Sequence, residues 1–103
     1  MADASTAVNI AKQFIEACRK NGLPVGSAWL FGSYAKGKQT KDSDIDLALV
    51  SDMFTLNFIE NNHKTALINY NFPDIEVHHF STKTFMQDDP FINEIKRTGI
   101  KIY

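Results

Sequence analysis

The chain is short of the residues that staple or anchor a fold. Cys18 is the one cysteine in 103 residues, which excludes an internal disulfide and a zinc site built from several thiolates. No apolar run approaches the ~18 residues of a membrane span. The opening MADASTAVNI has no basic stretch ahead of an apolar one, so no signal peptide is expected and a cytoplasmic address is. Charge of neither sign is in excess: eleven Lys and Arg face twelve Asp and Glu, a formal net charge of -1. That balance gives no general electrostatic grip on nucleic acid or on a membrane, while leaving room for a local basic patch. Long linkers, repeats and low-complexity tracts are also missing. What remains is an ordinary globular composition, 44% hydrophobic and 22% charged, of a length that suits one domain, residues 1–103, with one modest core.

The hydrophobic pattern predicts the elements. Ala7, Val8, Ile10, Ala11, Phe14, Ile15, Ala17 and Cys18 recur near a 3.6-residue period, which predicts an amphipathic helix from about residue 6 to 20, capped by Ser5 or Thr6. Cys18 falls on the apolar stripe and reads as a small buried hydrophobe. Asn21-Gly22 offers a left-handed stop. Ser27 to Phe31, Ile45 to Val50 and Ile75 to Phe80 read as strands. Leu56, Ile59, His63, Ala66, Leu67 and Tyr70 fit a helical spacing and predict a helix within Met53–Tyr70, with those residues as its apolar side. Ser81 can cap a short helix through Phe85, and Pro90 to Thr98 reads as another that stops at Gly99. Ile100 to Tyr103 alternates like a short strand. The order α, β, β, α, β, α, β predicts an α+β fold, a small mixed sheet with helices packed mainly on one face, rather than a regular parallel repeat. Phe54, Phe58, Phe72, Phe85 and Phe91 are many aromatics for a small core; they are core residues by default, and any left exposed would suit a partner.

Two stretches carry chemistry. Gly32-Ser33 follows the first strand directly, and Asp44-Ile45-Asp46 opens the second. Residues two apart on a strand share a face, so Asp44 and Asp46 are expected to project together while Ile45 and Leu47 enter the core. Two carboxylates held this close repel unless a cation lies between them, and a hard divalent ion, Mg²⁺ above all, suits them. Glycine lets the backbone approach a bulky anion, serine adds a hydroxyl, and amides at the start of a turn can point at phosphate. Lys36, Lys38 and Lys41 place a basic patch on the same loop. Carboxylates for a metal beside amides and ammoniums for phosphate oxygens fit a metal–triphosphate ligand.

Read as one stretch, Gly32-Ser33-Tyr34-Ala35-Lys36-Gly37-Lys38-Gln39-Thr40-Lys41-Asp42-Ser43-Asp44-Ile45-Asp46-Leu47 closely resembles the signature of the DNA polymerase β-like nucleotidyltransferase superfamily: a Gly-Ser pair, a further glycine, then Ser-Asp-hydrophobic-Asp-hydrophobic. The small size points to its minimal nucleotidyltransferase (MNT) group. The motif covers about 16 residues, and the order of elements extends the likeness over most of the chain. The resemblance implies a third carboxylate on a neighbouring strand, flanked by hydrophobic residues. Glu76, between Ile75 and Val77, matches, with Asp74 as the alternative; many relatives carry aspartate there, so the longer side chain is a departure.

The resemblance further implies Asp44, Asp46 and Glu76 as catalytic and metal-binding residues, two Mg²⁺ ions, and Gly32, Ser33, Lys36 and Ser43 at the nucleotide, ATP or another NTP. His78 shares a face with Glu76 and either sits beside the site or packs nearby; His79 points the other way. The activity implied is transfer of a nucleoside monophosphate to an acceptor hydroxyl. Minimal members are often encoded beside a helical HEPN-type partner as the antitoxin of a toxin–antitoxin pair, with adenylylation of the partner as the associated activity. A small-molecule acceptor and a non-catalytic binding module are the alternatives. With no further domain for a template or primer in sight, nucleic acid is not expected as the direct substrate; a homodimer is possible.

Overall fold

The computed structural model describes residues 4–40 and 42–103. Helix α1 (Ala4–Lys20) is followed by strands β1 (Ser27–Phe31) and β2 (Ile45–Val50), helix α2 (Phe58–Asn69), strand β3 (Ile75–Phe80), helices α3 (Thr82–Phe85) and α4 (Pro90–Thr98), and strand β4 (Ile100–Lys101). The strands form one mixed sheet in the order β3-β2-β1-β4. β1 pairs antiparallel with β2 and with β4, while β2 and β3 run parallel with α2 as the crossover. This is the expected α+β architecture.

Strand alternation divides the core in two. Ala28, Leu30, Ile45, Leu47 and Leu49 meet the apolar stripe of α1 in the larger cluster, with Ala7, Ala11, Phe14 and Cys18 fully buried. Cys18 behaves as a buried hydrophobe, and burial pushes its thiol up to about 11. On the opposite face Phe31, Ala48 and Val50 pack with Phe85, Ile92 and Ile95 from α3 and α4. The two long helices therefore cover one face, and a lighter cover of two short helices lies on the other. α1 begins at Ala4, so Ser5 and Thr6 lie within its first turn rather than capping it. It ends as expected at Gly22, whose φ of +87° is left-handed, with Leu23 N–H donating to the Cys18 carbonyl at 3.0 Å.

α2 departs most from expectation. It starts only at Phe58, because the Asn57 side chain accepts from Glu60 N–H and caps it there. It also turns the opposite side inward. Leu56, Ile59, Leu67 and Tyr70 are exposed, Leu67 at 87% and Tyr70 at 84%, while Asn61 and Thr65 are buried. Those polar residues tolerate burial because each is satisfied. Asn61 grips Thr55, accepting from its N–H at 2.9 Å and donating to its carbonyl at 2.7 Å, and Thr65 Oγ1 lies 2.8 Å from His79 Nε2. Of the phenylalanines, Phe54 and Phe85 are buried, whereas Phe58 is 75% exposed.

Candidate active site

β1, β2 and β3 bring the chemistry together at one end of the sheet. In the register, Phe31 of β1 stands opposite Asp46 of β2, and Asp46 stands beside Glu76 of β3. Alternation puts Asp46, Glu76 and His78 on the face shared with α3 and α4, while Ile45, Ile75 and Val77 join the larger core. One ligand atom from each of Asp46, Glu76 and His78 lies within 4.8 Å of the others. Asp46 Oδ1 is 3.4 Å from His78 Nε2. The imidazole is held from the side by the edge of Phe31, with ring centroids 4.9 Å apart, and by Phe91 of α4 at 6.2 Å.

The glycine-serine turn is built against this group. Gly32 leaves β1 with φ +75°, a left-handed conformation that β-carbon sterics disfavour. A Cβ placed there would run into Asp46 Oδ2 and lie 3.2 Å from Asp46 Cγ. Glycine is therefore required twice, for its dihedral and for the close approach. The chain then makes a tight turn, with Lys36 N–H donating to the Gly32 carbonyl at 3.1 Å and Lys38 N–H to the Ser33 carbonyl at 2.9 Å. The Tyr34 side chain is buried in the larger core and pins the turn. Ser33 is half-buried, and Lys36 and Lys38 are exposed. Lys41 lies outside the described residues. Ser43 Oγ accepts from Thr40 N–H at 2.8 Å, closing the loop before β2.

Asp44 stands directly before β2, whose bounds are those expected from the sequence. The β2–β3 ladder begins at Ile45, whose N–H donates to the Asp74 carbonyl at 2.8 Å. Asp44 is thus one residue outside the strand and exposed, and the group whose ligand atoms meet consists of Asp46, Glu76 and His78. Asp44 does line, with Glu76 and His78, an open groove of about 610 Å³ whose far side is α2. Asp74 sits in the turn before β3, and its backbone rather than its carboxylate meets β2. His78 shares the face of Glu76 as its two-residue spacing predicts, and of the two alternatives left open it lies beside the site.

His79, on the other face, packs on Phe54 with centroids 4.8 Å apart. Burial, with a smaller contribution from the neighbouring His78, lowers it from 6.5 to about 4, so it stays neutral near pH 7. In the group around Asp46, two carboxylate oxygens and one imidazole nitrogen form a donor set that suits a divalent cation. Partial exposure leaves the cation a way in: the Asp46 side chain is 25% accessible and that of His78 30%.

The profile of the nucleotidyltransferase domain matches residues 11–102, nearly the whole chain. The chain belongs to the nucleotidyltransferase domain family. The match spans the glycine-serine turn, Asp44, Asp46 and the β3 strand with Glu76. Solved structures share the fold of this nucleotidyltransferase domain. A putative nucleotidyltransferase from Sulfolobus solfataricus superposes with a TM-score of 0.71 at 15% identity, covering 95% of this chain and 80% of the other. A toxin–antitoxin structure with AMP-PNP gives 0.61 at 20% identity, over 88% and 71%. A tri-AMPylated Shewanella oneidensis HEPN toxin in complex with its MNT antitoxin gives 0.59 at 19% identity, over 97% and 71%. The likeness to minimal nucleotidyltransferases thus extends from the motif to the fold. No curated protein sequence matches significantly. Among the described residues no helix is long and apolar enough to cross a membrane.

Proposed function

We propose that this nucleotidyltransferase domain moves AMP from ATP to an acceptor hydroxyl with release of pyrophosphate, and that it serves as the antitoxin that modifies a helical HEPN-type partner protein. The observation that carries the reading is the packing of Gly32 against the Asp46 carboxylate, itself beside Glu76. A phosphate-sized anion at the turn and a cation at the carboxylates would then be neighbours, as they are in a metal-bound triphosphate.

In this reading the turn at Gly32 and Ser33 holds the terminal phosphates, with Lys36 and Ser43 along the same loop. Asp46 and Glu76, with Asp44 at the groove rim, would hold the divalent ions, two Mg²⁺ in the reading favoured here. Such ions supply charge stabilisation for the entering and leaving oxygens of an in-line displacement. The acceptor oxygen bonds to the α-phosphorus as the bond to the pyrophosphate oxygen breaks. Glu76, which is exposed and lines the groove, would take the acceptor's proton.

A protein acceptor is favoured over a small molecule by the exposed apolar side of α2, where Leu56, Ile59, Leu67 and Tyr70 give a helical partner something to bury. The structural neighbour in which an AMPylated HEPN toxin is bound to an MNT antitoxin supports the same assignment. The cytoplasm, where ATP and Mg²⁺ are plentiful, is the compartment this activity needs. The test is incubation with ATP, Mg²⁺ and a candidate HEPN partner, followed by intact-mass spectrometry. AMP should appear on the partner, and Asp46→Ala or Glu76→Ala should abolish it. Transfer undiminished in both variants, or none with any partner and nucleotide, would refute the reading.

A further inference from the structure

We propose that His78 is a metal ligand, its Nε2 joining the carboxylates of Asp46 and Glu76 around one divalent cation, and that this nitrogen biases the site toward first-row transition ions over Mg²⁺. The proposal takes from the nucleotidyl-transfer reading only the purpose of the ion. Its geometry stands independently: Nε2 is 3.4 Å from Asp46 Oδ1, and all three donor atoms fall within 4.8 Å of one another. Neighbouring ligands ~2.1 Å from one octahedral ion lie roughly 3 Å apart, so His78 and Asp46 are near that spacing already and the widest pair closes by up to about 2 Å.

The register explains why the three meet. Asp46 and Glu76 are lateral neighbours in a parallel pair, and His78 follows Glu76 on the same face. The rings of Phe31 and Phe91 steady the imidazole while Nε2 faces the carboxylates. Coordination through Nε2 requires the neutral tautomer with its proton on Nδ1. Mg²⁺ is a hard ion that favours oxygen, whereas imidazole favours transition ions such as Co²⁺. The exchange of an oxygen-only donor set for a mixed one should therefore appear as selectivity.

The experiment is calorimetric titration of the intact chain, without nucleotide, with Co²⁺ and with Mg²⁺. Wild type, His78→Ala and His78→Gln are compared, and circular dichroism checks that each is folded. We expect the ratio of Co²⁺ to Mg²⁺ affinity to fall at least tenfold in both variants, the visible Co²⁺ band to change, and Mg²⁺ affinity to stay within about threefold. His78→Gln keeps a polar group beside Asp46, so it covers the case in which the alanine variant fails to fold. An unchanged ratio overturns the proposal. If both affinities fall together, His78 is only a positioning residue for Asp46; if neither falls, it is only a packing residue. Both outcomes leave nucleotidyl transfer standing. Wild-type protein that binds neither ion without nucleotide would overturn the proposal, and the transfer assay with ATP and Mg²⁺ would still decide the nucleotidyl-transfer reading.

Discussion

Replacing Gly32 with alanine separates the two demands placed on that residue. The first demand is conformational. At φ +75° an alanine carries the left-handed penalty of about 1–2 kcal/mol, a fall in Tm of roughly 5–15 °C for a domain of this size. The second demand is spatial. The new Cβ would meet Asp46 Oδ2 and crowd Asp46 Cγ, at 3.2 Å, and Cβ, at 3.4 Å. The carboxylate can yield by rotating, so the clash adds little to the stability cost, but it must leave its place beside Glu76 and His78. A misplacement of about 1 Å can cost on the order of 10²-fold in rate. Gly22 provides the control: its φ is +87°, and an added Cβ there meets nothing within 4 Å. Gly22→Ala and Gly32→Ala should lose similar stability in urea denaturation, while only Gly32→Ala should lose AMP transfer and divalent-ion binding, by about a hundredfold in rate. Equal activity losses in the two variants, or full activity in Gly32→Ala, would refute the argument from close approach.

Two further outcomes follow from the packing. His79 titrates near 4 in the folded chain against its ordinary 6.5, so between these values the unfolded chain holds more protons. Stability should therefore fall as the pH drops from about 6.5 toward 4, by up to about 3 kcal/mol, and then level off; urea midpoints across this range should lose that slope in His79→Gln, and an unaltered slope would assign the effect elsewhere. Asp89 Oδ1 accepts from Phe91 N–H at 2.9 Å and Ile92 N–H at 3.1 Å to cap α4, so Asp89→Ala should cost about 1 kcal/mol in thermal or chemical melts and Asp89→Asn much less. An asparagine variant as unstable as the alanine would show that the cap is not the reason.

Most of the elements were legible because their signals are local. Each strand is a short apolar or β-branched run. The cap at Ser81 and the stop at Gly22 rest on bonds within a few residues. The motif from Gly32 to Leu47 was legible for the same reason, since a turn, a loop and a strand start occupy one contiguous stretch. α2 was read with the right period and the wrong face. It carries two stripes of helical spacing, and the polar one, Asn61 and Thr65, goes inward because Thr55 and His79 satisfy its hydrogen bonds. Apolar spacing does not reveal where those partners are.

The chain's own order of residues determined the period of each element, the bend at Gly32 and the carboxylates available for metal and phosphate chemistry, because dihedral preference and spacing act over a few residues. Tertiary structure decided which of those groups meet. The Ile45–Asp74 hydrogen bond starts the β2–β3 ladder one residue past Asp44, and the resulting register sets Asp46 beside Glu76 with His78 next to them. Strand register is fixed by pairing between segments some thirty residues apart in sequence, and only folding brings that pairing about.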